Sequence, residues 1–355
     1  MNKFVKRYLI DAMSGMAQGL FASLLIGTII KTIGQQLLRL DDNIIFNFLV
    51  SAGNFATDSH VVGAAMAIGI GNSMHLPSLV LYSLAAVGSA ANISGGAGGP
   101  LAVLVIAIIA GEAGNLVSKK TKVDILVTPL VTIFTGVLFT VLTAGYIGKA
   151  ASSVGNLIVW ATTLHPFWMG IIISVIVGVA LTLPISSAAI CAALGLTGLA
   201  GGAAVAGCCA QMIGFAVLSF KENRWGGLVS QGLGTSMLQM PNIIKNPKIW
   251  IAPTLTSAIT GPVATCIFKM EMNGASVSSG MGTCGLVGQI GVITGWFNPS
   301  ETAILHGASA ITPSLKDYTG LILICFILPA ILTLIFGKLL RKIGWIKDGD
   351  LKLDN

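Results

Sequence analysis

The chain has 355 residues, of which 54% are hydrophobic and only 9% charged, with a formal net charge of +7. A soluble domain carries about 25% charged residues, and a folded protein always leaves much of its surface outward, so this composition excludes a water-soluble globular protein. The basic residues form no single patch but sit at segment ends, which argues against a nucleic-acid surface and for a membrane protein that obeys the positive-inside rule.

In chain order, apolar stretches long enough to cross a bilayer fall at 9–33, 46–73, 77–93, 100–118, 124–148, 166–183, 186–199, 202–220, 249–268 and 318–340. The first follows a basic start and resembles a signal peptide. It is too long for one and no small-residue cleavage site follows, so it reads as a membrane helix. Basic clusters at Lys3, Lys6 and Arg7, at Lys119, Lys120 and Lys122, at Lys221 and Arg224, and at Lys338, Arg341, Lys342 and Lys347 follow an even number of crossings each. Both termini are therefore expected in the cytoplasm. The expected architecture is an all-α integral membrane protein, one domain over 1–355 with about ten transmembrane helices.

Two further stretches, 226–242 and 274–295, are rich in Gly, Ser and Thr, and each holds a Gly-x-Gly-Thr, Gly232 to Thr235 and Gly280 to Thr283. Irregular backbone at membrane depth survives only when it is buried in protein or lines a wet cavity. Both are expected to be re-entrant hairpins, and the shared motif suggests two related elements facing one site. The Ser94–Pro100 run reads as a tight turn, with Pro100 in the first turn of the next helix.

Ionisable and amide groups at membrane depth are functional candidates. Gln231, Gln239 and Asn242 in the first hairpin, Thr283 and Gln289 in the second, and Gln211 within a span offer paired donors and acceptors. Such groups suit a neutral polyol, or alternatively satisfy the hairpins' own backbone. Glu112 reads as a carboxylate that binds a proton, pairs with a base or accepts from a solute hydroxyl. Asp58 reads as a second such carboxylate or as a helix cap beside His60. Glu301 and His306 lie in NPSETAILHGAS, which reads as a turn and cap. The six cysteines read as small buried hydrophobes, without metal spacing. GMGTCG at 280–285 matches a dinucleotide fingerprint without its strand and helix, and no phosphate-binding, metalloprotease or serine-hydrolase motif is present. No catalytic residue, metal or cofactor is expected.

Four long segments carry a resemblance: GGPLAVLVIAIIAGEAGNLVSKKTKVDILVTPLVTIFTG (98–136), LPISSAAICAALGLTGLAGGAAVAGCCAQMIGF (183–215), GGLVSQGLGTSMLQMPNIIKNPKIWIAPTLTSAITGP (226–262) and GMGTCGLVGQIG (280–291). Together they resemble the phosphotransferase-system enzyme IIC-like family that includes toxin regulators of the PfoR type. The resemblance implies an elevator-type sugar permease in the bacterial cytoplasmic membrane. It also implies a homodimer, two re-entrant hairpins at the substrate site and separate IIA and IIB phosphocarrier partners. The chain is nearly all membrane, with no fused IIB-like module. The family's glucose-type permeases bear a Gly-Ile-Thr-Glu-Pro signature whose Glu contacts sugar, and Glu301 in NPSETAIL is the weak counterpart here. The expected function is thus a carrier for a sugar or similar small polar solute, not itself an enzyme. The alternatives are a membrane sensor or regulator with the same fold, or an uncoupled or proton-linked carrier.

Overall fold

The computed structural model describes residues 3–38, 41 and 43–353, so the extreme ends of the chain lie outside it. The protein is an all-α integral membrane protein. Six of its helical runs among the described residues are long and apolar enough to cross a bilayer, and three shorter apolar helices accompany them. The chain divides into two compact units, Met1–Ala151 and Ser152–Asn355.

The first unit opens with α1 (Val5–Leu38). The expected crossing 46–73 lies antiparallel to it but is two helices, α2 (Ile44–Ala56) and α3 (Ser59–Ser73). The break has a local cause. Asp58 leaves the helical region and its carboxylate accepts from the His60 N–H at 2.8 Å, capping α3. The capping reading of Asp58 is therefore the observed one. His60 bonds Ser89 through Nδ1 at 2.8 Å. Loss of an N-cap costs about 1 kcal/mol, so Asp58→Ala should lower the thermal midpoint in detergent by that amount, and Asp58→Asn by much less. Equal losses in both variants would count against the cap.

Backbones in this unit approach closely because apolar side chains gain nothing over lipid, whereas small residues allow close van der Waals packing. A Cβ built on Gly15 of α1 would sit 2.2 Å from the Gly69 carbonyl oxygen of α3, and one on Gly69 would sit 2.1 Å from that of Gly15. The chain then folds back twice, through α4 (Ser78–Gly95) and α5 (Gly99–Val117). Gly96 makes the turn at φ 50°, ψ −120°, a conformation open to glycine. Pro100 sits in the first turn of α5, as expected. α6 (Asp124–Thr162) leaves this unit as one long helix, with Leu126, Leu130, Phe134 and Val141 exposed along it.

Glu112 on α5 pairs with a base. Arg7 reaches it with Nη2 at 2.8 Å and Nε at 2.9 Å, and the Tyr8 hydroxyl donates at 3.0 Å.

In the second unit, α7 (Pro166–Thr182), α9 (Gly198–Leu218) and α12 (Pro247–Phe268) pack as a triad. α7 and α9 run in the same direction, with Ser174 against Gly207 and Thr182 beside Gln211. α12 runs opposite to both, with the Ser174 hydroxyl donating to the Ser257 carbonyl at 2.7 Å and Thr265 to that of Pro166 at 2.8 Å. α15 (Leu315–Lys342) lies along α12, joined by Thr256 and Thr333 at 2.9 Å. Five of the six cysteines are buried, as expected of small hydrophobes, and Cys266 is exposed.

The stretch 186–199 differs from expectation. Its helix α8 (Ser187–Ala193) has seven residues. Pro184 drives Leu183 extended, at ψ 158°. Ser186 caps the start by accepting from the Ala189 N–H, and Gly195, at φ 57°, ends the helix. The chain 166–198 therefore turns at Thr182, level with Gln211, and returns to the end of the bundle where α7 began.

Two more fold-backs complete the unit. Hairpin 1 comprises α10 (Phe220–Val229), a short 3₁₀ turn and α11 (Met240–Lys245), and opens at the Leu218 end. Hairpin 2 runs from the 3₁₀ turn Ser276–Gly280 to α13 (Val287–Phe297) and opens at the Gly198 end. There Gly198 and Met272 form an isolated antiparallel bridge, and Ser300 N–H bonds the Asn273 carbonyl at 2.9 Å.

Candidate functional site

The three fold-backs bring polar side chains to one buried level. The Thr182 and Ser236 hydroxyls lie 2.7 Å apart, joining the turn after α7 to hairpin 1. Thr283 at the tip of hairpin 2 donates to the Gly232 carbonyl at the tip of hairpin 1. Gln211 closes the knot. Its amide oxygen accepts from the Trp250 indole N–H at 2.9 Å and from Thr182 at 3.3 Å, and its nitrogen donates to Thr254 at 3.3 Å. Thr182, Gln211, Ser236 and Thr283 are all fully buried.

The other hairpin amides form a ladder away from this knot. Asn242 donates to Gln239 at 2.9 Å and Gln239 to Gln231 at 2.8 Å, while Gln231 donates to Ser219 and to the Gly227 carbonyl. The remaining donors run to the chain's own end, Gln239 to the Leu351 carbonyl at 3.0 Å and Asn242 to that of Lys352 at 2.8 Å. With its amide assigned to satisfy its neighbours, Gln289 donates to the Gly282 and Leu286 carbonyls, at 3.2 and 3.3 Å, and so ties the tip of hairpin 2 to itself. These four amides are thus bonded within the protein, and none of them lines the open cavity described next.

That cavity, of about 550 Å³, opens at the Gly198 end of the unit. Its wall is apolar where the last turns of α6 and Met169 contribute. Its polar side chains are Thr162, Thr197, Glu271, Asn273 and His306. The last four are placed by the fold-backs. Asn273 accepts from the Gly198 N–H at 3.1 Å and donates to the Glu271 carboxylate at 2.8 Å, which orients that carboxylate. His306 follows α14 (Glu301–Leu305) and its Nδ1 meets the Thr197 hydroxyl at 3.1 Å. No Lys or Arg lines the cavity, so its fixed charge is the one carboxylate. A second cavity of about 210 Å³ shares Glu271 and Asn273 as a common wall. Hydroxyl, amide, imidazole and carboxylate together hold a hydroxyl-rich solute by donating and accepting, against an apolar wall typical of small-molecule sites.

Of the candidates read from the sequence, His306 lines this cavity. Glu301 is exposed one helix away, at a terminus capped by Ser300. Glu112, Asp58 and His60 belong to the first unit. Thr197, Glu271 and Asn273 were not foreseen. Glu271 carried the signal, as a carboxylate at the very end of a span. Among the described residues no group of three or more His, Cys, Asp or Glu side chains has the arrangement to hold a metal.

A family profile described as "Phosphotransferase system, EIIC" matches residues 10–353, which covers both units. No curated protein and no solved structure matches the chain.

Proposed function

The chain belongs to the phosphotransferase system EIIC family, and from that premise we propose that this membrane permease takes a neutral sugar or similar polyol into the cavity at the Gly198 end. The observation that carries the reading is the cavity's lining, with one carboxylate, an amide, an imidazole and two hydroxyls and no Lys or Arg. Lys221, Lys245, Lys248, Arg341 and Lys347 gather at the opposite end. The positive-inside rule places that end in the cytoplasm of a bacterial cell, and the cavity then faces outward. Hairpins 1 and 2 are re-entrant in this reading, their tips meeting at the buried knot between the cavity and the cytoplasm. Transport is of the elevator kind, in a homodimer. Separate IIA and IIB proteins supply the phosphoryl group.

A thermal-shift screen of the purified protein in detergent tests the cavity. A ligand at a hundredfold excess over its Kd stabilises by about 2.7 kcal/mol. Neutral sugars or polyols should raise the midpoint, and sugar phosphates and sugar acids should not, because the fixed carboxylate repels them. A hydrogen bond to a charged group contributes about 1.5–3 kcal/mol, so Glu271→Gln should weaken binding roughly tenfold to a hundredfold. An undiminished response in both Glu271→Gln and His306→Ala would remove the solute from this cavity.

A further inference from the structure

We propose that the carboxy-terminal segment Trp345–Leu353 is a latch that holds hairpin 1 shut, and that Arg341 is the hinge pin of its release. The inference concerns the regulation of the permease proposed above and rests on that reading only for its consequence in transport.

Past α15 the chain does not trail away. It crosses the mouth of hairpin 1 with Ile346 and Leu351 buried as two apolar pegs while most of its other residues are exposed. Hairpin 1 and the turn after it grip its backbone. Asn223 donates to the Leu351 carbonyl at 2.8 Å and accepts from the Leu353 N–H at 2.9 Å. Gln239 and Asn242 donate to the Leu351 and Lys352 carbonyls. Asn246 donates to the Trp345 carbonyl at 2.9 Å and to Asp350 at 2.8 Å. The Lys248 ammonium lies 5.2 Å from the centre of the Trp345 ring. Both arms of the hairpin are thereby tied to one strand of chain, and parting the arms requires that strand to leave.

Arg341 makes departure reversible. It divides its guanidinium, Nη1 donating to Asp348 of the strap at 3.0 Å and Nη2 to Glu222 Oε1 of hairpin 1 at 2.9 Å. The second oxygen of Glu222 is buried without a partner, and no other described side-chain polar atom is so placed. When the strap undocks, Nη1 loses Asp348 and is free to turn to that oxygen, forming the two-pronged arginine–carboxylate bond that is stronger than a single contact. The closed and open states thus each satisfy Arg341, so its guanidinium does not oppose release. Lys221, at 2.8 Å from Asp348, holds the closed side.

Hydrogen–deuterium exchange of the full-length protein in detergent, without solute, tests the latch independently of transport. Asp348→Asn combined with Asp350→Asn should speed exchange at least tenfold both in 345–353 and in 226–245, and leave 198–218 unchanged. Asn223→Ala should do the same more weakly, and it decides the matter if the double variant exchanges everywhere. A freed strap over an unchanged hairpin 1 would overturn the proposal, and so would a strap that stays protected in both variants. If the hairpin loosens and neutral sugars still bind nowhere, the latch stands and the solute reading fails.

Discussion

Gly207→Leu should leave almost no folded protein. Leucine is the better helix former by about 0.8–1 kcal/mol, so the substitution favours α9 taken alone, and any loss measures packing. At residue 207 the α7 backbone lies against α9 with no space between them. A Cβ there would sit 1.9 Å from the Ser174 carbonyl oxygen, 2.5 Å from its carbon and 2.6 Å from its Cα. These are main-chain atoms and have no rotamer through which to yield. α7 and α9 cannot part without cost either, because Ser257 of α12 ties them together, its carbonyl accepting from Ser174 at 2.7 Å and its hydroxyl donating to the Gly207 carbonyl at 3.3 Å. Overpacking a well-packed core by a methylene or two costs about 1–3 kcal/mol, and here a whole isobutyl group must open three helices. The monodisperse yield after detergent extraction is the readout. Gly226→Ala is the control, since a Cβ at that position meets nothing within 4 Å. Normal yield and midpoint for Gly207→Leu would mean that the triad is not the core of the second unit.

The parts of this fold that were legible in the sequence are those set by local chemistry. Asp58 two residues before His60 gives a cap whether or not its surroundings are known. Pro100 after a glycine run gives a helix start. The Gly, Ser and Thr content of 226–242 and 274–295 goes with broken helix, 3₁₀ turns beside the short helices Phe220–Val229, Met240–Lys245 and Val287–Phe297. The composition of 186–199 predicts a crossing because it is as apolar as any span. Pro184 and Gly195 carry the correction, and each is a weak signal alone; between them the seven-residue helix Ser187–Ala193 packs against Ser276–Gly280, with the Ser187 hydroxyl donating to the Gly280 carbonyl.

The site was less legible for a physical reason. Thr197, Asn273, Glu271 and His306 come from three segments distant in sequence, joined by the Gly198–Met272 bridge and by the bonds of Asn273 to Ser300 and of Thr197 to His306, and pairing between distant segments leaves no trace in periodicity. The hairpin amides show the converse. Gln239 and Asn242 are the right residue types for a solute, yet their donors are taken by carbonyls more than a hundred residues away. The same distance hid the strap, where the charges of 347–350 suggest solvent and the two pegs that matter, Ile346 and Leu351, are ordinary apolar residues.

Gln211→Leu should cost about 1–3 kcal/mol, and the loss should vanish when Trp250 is changed as well. Gln211 is fully buried, and its oxygen is the acceptor for the Trp250 indole N–H. Leucine fills most of the volume but leaves that N–H buried and unpaired, the costly half of the asymmetry between breaking a hydrogen bond and removing both of its partners. Thr182 is not stranded, because Ser236 stays 2.7 Å from its hydroxyl, and Thr254 keeps its bond to the Trp250 carbonyl. The indole therefore carries nearly all of the penalty. Trp250→Phe removes the donor, so in the double variant Gln211→Leu should add little, and a double-mutant cycle on thermal midpoints should show coupling of about 1–3 kcal/mol. Additive losses would assign the role of Gln211 to shape alone. Strong coupling with a normal fold would instead make the knot an electrostatic joint, which holds the turn after α7 to hairpin 1 through Thr182 and Ser236 while remaining free to break when the tips part.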